Sequence, residues 1–159
     1  MNTSRLFRYR SSLPNGPRVG AGNPLFAFLA ILWLGMLLGV VFIATPVKFQ
    51  APSLDMSRAL EVGRVTFALF SKIEWGLFAL LLGSLFFRRT GWDRWLGLGV
   101  LLAVLLLENL WLLPVLDERA GQVIAGTKPA ESWSHFFYVA AESVKGLVLL
   151  MLSVGALRR

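Results

Sequence analysis

The sequence predicts an all-α polytopic membrane protein, a bundle of four transmembrane helices, and three observations carry that prediction. Hydrophobic residues fill 56% of the 159 positions and charged residues only 16%, with a mean hydropathy of +0.65. A soluble domain carries about 25% charged residues, so lipid rather than a larger core must cover the apolar excess. The apolar residues fall into four long blocks, each near the ~20 residues that cross about 30 Å of hydrocarbon as a helix. The third observation is that arginines cluster beside those blocks instead of spreading over one binding face.

The first block, Leu25 to Thr45, is uninterrupted and is followed by Pro46. It is too long for a signal-peptide core, and no small-x-small cleavage pattern follows before Pro46, so it reads as a retained helix. The second span runs from about Val65 to Phe87, the third from Trp95 to Leu113 and the fourth from His135 to Leu157. Proline lacks the N–H that continues a helix, so Pro46 and Pro114 are expected to end the first and third. Ser53 or Asp55 suits the N-cap of the second helix, and Ser132 or Ser134 that of the fourth. Residues 1–24 contain Ser-Ser-Leu-Pro-Asn-Gly-Pro and Gly-Ala-Gly-Asn and read as a disordered tail. Residues 25–159 then form one transmembrane domain.

Orientation follows from the positive-inside rule. Arg5, Arg8, Arg10 and Arg18 precede the first span, Arg88, Arg89 and Arg94 lie between the second and third, and Arg158 and Arg159 close the chain. The opposite side has Lys48, Arg58, Arg64, Arg119 and Lys128, diluted by Asp55, Glu61, Asp117, Glu118 and Glu131. Both termini are therefore expected in the cytoplasm, in a bacterial-type inner membrane. Trp92 and Trp95 mark the inner interface and Trp111 and Trp133 the outer one, as an aromatic belt requires. The net charge of +7 thus reads as topology signal and lipid contact rather than a nucleic-acid surface. The expected partners are the bilayer and either another membrane protein or a second copy of the chain.

Absent residues exclude several chemistries. With no cysteine there is no disulfide or thiolate metal site, and one histidine makes neither a bis-histidine haem nor a multi-histidine zinc site. No Gly-rich phosphate loop, Gly-x-Ser-x-Gly elbow or His-Glu-x-x-His motif occurs. No cofactor and no catalytic residue are expected, and the sequence points away from an enzyme.

A shift of 68 residues places Pro46-Val47 on Pro114-Val115 and Glu74 on Glu142. Two repeated helical hairpins of one orientation and a chance match both fit this pattern. Gly35-x-x-x-Gly39 in the first span suits a close helix contact, inside the chain in preference to a dimer.

The functional signal is charge at membrane depth. Lys72 and Glu74 fall inside the second span, Glu108 and Asn109 inside the third, Glu142 and Lys145 inside the fourth. Each ionised group at a helix centre costs roughly 2.5–3.5 kcal/mol to insert, so these groups are expected to turn inward and meet. His135, Tyr138, Glu142 and Lys145 form one stripe on the fourth helix; Arg64, Ser71 and Glu74 form another on the second. At 1.5 Å per residue the three glutamates and Lys145 lie roughly 8–15 Å below the outer surface, and can share one layer. Lys72 points away from Glu74 around the helix, so either the helix is rotated between them or Lys72 snorkels outward. Three glutamates against Lys72 and Lys145 leave one negative charge over, unless Arg64 or His135 reaches in. Three readings fit: an ion network that fixes packing, an outward-opening ligand or proton-relay site, and a metal site. The Glu-x-x-His step of di-iron bundles is missing, and no metal is assigned.

The runs Trp33-Leu-Gly-Met-Leu-Leu-Gly39, Ala44-Thr-Pro-Val-Lys-Phe49 and Gly63-Arg-Val-Thr-Phe67 resemble a four-helix bacterial inner-membrane family of unassigned function, related to the animal transmembrane protein two-hundred-and-five group. Trp111-Leu-Leu-Pro114 and Phe136-Phe-Tyr138 fit its second half, so the resemblance covers about residues 25–155. It implies the same four-helix fold and no particular chemistry. The chain departs from that family's pattern in the density of Lys and Glu in its second and fourth spans. The expectation is a small proton- or cation-linked transporter or accessory permease, with Glu74, Glu108, Glu142, Lys145, Lys72, His135, Asn109 and Arg64 as candidate residues. The alternative is a non-catalytic subunit or assembly factor that uses those charges for packing or partner binding.

Overall fold

The structure, a computed structural model, describes residues 23–86 and 91–158. The N-terminal tail with its arginines, the end of the second expected span at Phe87, Arg88, Arg89 and Arg159 lie outside the described residues. Four helices account for almost all the rest: α1 (Pro24–Lys48), α2 (Met56–Leu85), α3 (Trp92–Ile124) and α4 (Ser134–Leu157). Each is long and apolar enough to cross a membrane, and no strand occurs among the described residues.

Local sequence sets the helix starts. Asn23 caps α1 by accepting a 3.1 Å hydrogen bond from the Phe26 N–H. Pro24 follows in the first turn, where its missing N–H costs nothing. Asp55 caps α2 through the Arg58 N–H at 2.8 Å. For α4 the expected cap at Ser132 or Ser134 is not made: Trp133 stands at the N-cap with no side-chain cap bond, and Ser134 is the first helical residue, its N–H donating to Ser132 Oγ at 3.1 Å.

Pro46 and Pro114 do not end their helices. α1 continues to Lys48 and α3 to Ile124, each through a π-helical turn: Leu38–Ala44 before Pro46 and Glu108–Leu112 before Pro114. The wider turn reroutes the hydrogen bonds that a proline interrupts. In α1 the Thr45 N–H and the Thr45 hydroxyl, at 2.8 Å, both donate to the Val40 carbonyl. The two prolines thereby sit in the first turn of a new α-helical piece. α1 and α3 begin 68 residues apart and share this proline-linked π-turn, so the sequence shift has a counterpart in the backbone.

The helices form a ring in chain order. Each packs on its sequence neighbours, and α4 closes the ring most extensively against α1. Phe26, Ala30, Trp33 and Leu37 of α1 meet Leu81, Leu101, Leu105 and Leu149 in a fully buried core. Phe28, Ile31, Leu69, Leu80, Leu96, Leu147 and Met151 face outward, the surface that lipid covers in a membrane-spanning bundle. Trp92 and Trp95 are exposed at the start of α3. Trp111 and Trp133 are exposed toward the opposite end, beside Phe137 and Phe136 respectively.

Glycines matter where helices come closest. A Cβ at Gly97 of α3 would meet Leu152 of α4 at 2.7 Å, and one at Gly146 would touch Leu34 and Leu37 of α1 at 3.8 Å. Gly35 and Gly39 have nothing within 4 Å. The internal contact expected of Gly35-x-x-x-Gly39 is therefore not made, because α1 turns Trp33 and Leu37 toward the core and its glycines away from it.

Candidate functional site

All four helices contribute a polar side chain to one buried point. Lys145 and Glu142 come from one face of α4, Glu74 from the middle of α2, Glu108 from the first position of the π-turn in α3, and Trp33 from α1. Lys145 and Glu142 are completely buried; Glu74 and Glu108 are 3% and 2% exposed.

The Lys145 ammonium lies 2.7 Å from Glu74 Oε1, 2.7 Å from Glu108 Oε2 and 3.1 Å from Glu142 Oε2. Trp33 Nε1 donates to Glu74 Oε1 at 3.0 Å. One oxygen from each carboxylate lies within 4.8 Å of the others, spacing that suits a metal ion as well as an ammonium. Here the centre of the triad is filled by Lys145 Nζ, which donates a hydrogen bond to Glu108 Oε2 and pairs ionically with Glu74 and Glu142. Glu108 Oε1 and both Glu142 oxygens accept no hydrogen bond of good geometry within the protein. With every group ionised the cluster holds two negative charges in excess.

A polar layer lies one turn nearer the α2 start. Ser71, three residues before Glu74, donates to Asn109 Oδ1 at 2.7 Å, and Asn109 Nδ2 donates to the Leu105 carbonyl at 2.9 Å. Tyr138, one turn before Glu142, is 4% exposed and packs its ring edge-on to Phe67, with centroids 5.4 Å apart. Ser71, Asn109 and Tyr138 form the floor of a cavity of about 460 Å³ bounded by all four helices. Leu60, Phe67, Leu113 and Leu116 supply apolar walls.

Ionic groups also line this cavity. Arg64 grips Asp117 with two parallel hydrogen bonds, Nε to Oδ1 at 2.6 Å and Nη2 to Oδ2 at 2.8 Å. Lys48 lies over the Phe49 and Phe67 rings at 5.1 and 5.5 Å from their centroids. Its stem and ammonium occupy the space that a side chain at Gly63 would need. Lys72 and His135 are exposed and line the same cavity.

The eight candidate residues thus divide. Glu74, Glu108, Glu142 and Lys145 meet at one point; Lys72, His135, Asn109 and Arg64 line the adjoining cavity. Lys72 is not a counter-ion of the glutamates, contrary to the expectation from sequence, because its side chain leaves α2 on a different face and lines the cavity. Neither Arg64 nor His135 reaches in. Trp33, Tyr138, Lys48 and Asp117 were not among the candidates. Trp33 carried a signal, since a mid-span indole needs an acceptor, and Tyr138 already sat on the α4 stripe. Lys48 read as a loop charge because the helix was expected to stop at Pro46.

Four apolar helices closed around a sealed ion cluster define a small integral membrane protein of the multi-pass class. The chain belongs to the family described as Domain of unknown function (DUF4149), whose model matches residues 28–125. That segment contains Glu74 and Glu108, while Glu142 and Lys145 follow it on α4. Comparison with curated proteins and with solved structures found no match to this chain.

Proposed function

We propose that this protein is a small proton-linked transporter, or the permease-like subunit of one, with the cavity as its vestibule and the Lys145 cluster as its proton-exchanging centre. The observation that carries this reading is the placement of three carboxylates on one ammonium beneath a cavity floored by Ser71, Asn109 and Tyr138. Three carboxylates on one ammonium leave two negative charges over, so a proton can enter the cluster without leaving Lys145 unpaired. A proton delivered from the vestibule to the cluster weakens one carboxylate's hold on Lys145 and leaves the other two as the ammonium's partners. Such a change in pairing biases the fit of α4 against α2 and α3, which is what coupling a proton to a conformational step requires. A proton suits the centre better than a metal cation, because Lys145 already occupies the position a metal would take.

The reading also places the protein in a bacterial-type inner membrane, with both termini cytoplasmic and the vestibule facing outward. The lysine–arginine asymmetry supports that orientation. Kinship with the animal transmembrane protein two-hundred-and-five group rests on the short sequence runs alone. Because the chain has no cysteine, single cysteines introduced at Gln50 and Thr127 report the outer face cleanly. Labelling from the periplasm is expected at both sites, and protection at both reverses the topology.

A second reading is supported by Trp33, Glu74, Glu108 and the Glu142–Lys145 pair tying all four helices together, as a packing device in a non-catalytic subunit would. Glu142→Gln separates the two. It keeps size and shape while removing one excess charge, so folding is expected to survive, with stability changed by about 1 kcal/mol or less. Reconstituted wild-type protein is expected to move protons across vesicles, and Glu142→Gln is not. Absence of proton movement in the wild type over a broad panel of solutes rejects transport and leaves the packing role.

A further inference from the structure

We propose that the vestibule binds an anionic amphiphile, with Lys48 and Lys72 holding its head and the cavity walls its apolar body. This deepens the reading above, resting on the cavity as the substrate-facing side of the cluster.

Charge inside the cavity is unbalanced. Of the charged groups that line it, Arg64 and Asp117 neutralise one another through two hydrogen bonds. Lys48 and Lys72 make no ion pair among the described residues, so the lining holds two ammonium groups without a carboxylate between them. Glu74, Glu108 and Glu142 cannot serve, since all three face Lys145 behind the Ser71–Asn109–Tyr138 floor.

Position makes the imbalance meaningful. Lys72 lies near the middle of the thirty-residue α2, where an ammonium is expensive to hold unless it meets water or an anion. Lys48, also in the cavity lining, is drawn over two aromatic faces, which orients a cation without cancelling its charge. A cavity of about 460 Å³ falls within the ~300–1,000 Å³ range of small-molecule sites. Apolar walls beside unpaired cations fit a head bearing one carboxylate or phosphate on a hydrocarbon body. A cationic ligand meets repulsion at both lysines, and a free inorganic anion leaves the apolar walls unused.

The experiment uses the full chain purified in a neutral maltoside detergent. Binding is measured for palmitate, for phosphatidylglycerol, for inorganic phosphate and for a trimethylammonium amphiphile of equal chain length. Saturable binding of palmitate or phosphatidylglycerol is expected, and which of them binds identifies the free acid or the bilayer lipid as the source. Lys48→Gln and Lys72→Gln are each expected to weaken binding at least tenfold, while Lys48→Arg and Lys72→Arg retain it. Unfolding profiles confirm that each variant is folded, and the arginine variants carry the test if a glutamine variant is not. Equal binding of the cationic amphiphile, phosphate binding as tight as that of the amphiphiles, or unchanged affinity in folded glutamine variants overturns the proposal. Proton movement by the reconstituted wild type keeps the outcomes separate: in the wild type, anionic binding without proton movement removes the transport reading alone, and proton movement without anionic binding removes this inference alone.

Discussion

The Lys145 cluster and the Arg64–Asp117 pair use the same chemistry at nearly the same separation, 2.7 Å in one and 2.6 Å in the other. Their surroundings differ completely. Lys145 and its three carboxylates are almost wholly buried, whereas the Arg64 and Asp117 side chains are 40% and 54% exposed. Removing one member of a buried set leaves its partners charged with nothing to solvate them. Removing one member of an exposed pair lets water and salt take over. Distance alone does not rank these contacts; access to solvent does.

The largest expected effect follows from that contrast. Lys145→Met keeps a side chain of similar length but strands three carboxylates, and is expected to cost about 3–5 kcal/mol. Unfolding in detergent micelles measures it. A loss no greater than that of a rim substitution at Asp117 removes the distinction between the two regions.

An intermediate effect is expected at Trp33, which reaches the cluster with one neutral donor. Trp33→Phe is expected to cost roughly 2 kcal/mol, within the ~1.5–3 kcal/mol range of hydrogen bonds to charged groups. Part of that cost is lost packing, so the sharper measurement is a double-mutant cycle with Glu74→Gln. Additive losses in the cycle mean that the indole does not sense the carboxylate.

The smallest effect is expected at the rim. Asp117→Asn should leave the unfolding midpoint nearly unchanged, and any difference should fade as salt is raised. A large, salt-insensitive loss places Asp117 in the same category as the buried glutamates and erases the comparison from the other side.

Much of the helical framework could be read from the chain. Four apolar blocks, the Asp55 cap and the inward stripe of Tyr138, Glu142 and Lys145 follow from composition and a 3.6-residue period, both local properties. Helix ends were harder. Pro46 and Pro114 signal a break locally, yet a π-turn carries each helix onward, and that rearrangement depends on how the preceding carbonyls are satisfied. Gly35-x-x-x-Gly39 misled for a related reason, since a small-residue spacing specifies a face suited to close approach but not which way that face turns.

Composition and hydrophobic period already require lipid around the chain, four helices, and Glu74, Glu108, Glu142 and Lys145 at a depth where they must find one another. Tertiary structure decided which cation they share. Lys72 and Lys145 are equivalent in composition and similar in depth, and only the rotation of α2 and α4 within the ring sends one ammonium to the cavity and the other into the triad. That choice is physical rather than local: a buried charge is stabilised by groups from several helices at once, and no single helix specifies where the others will stand.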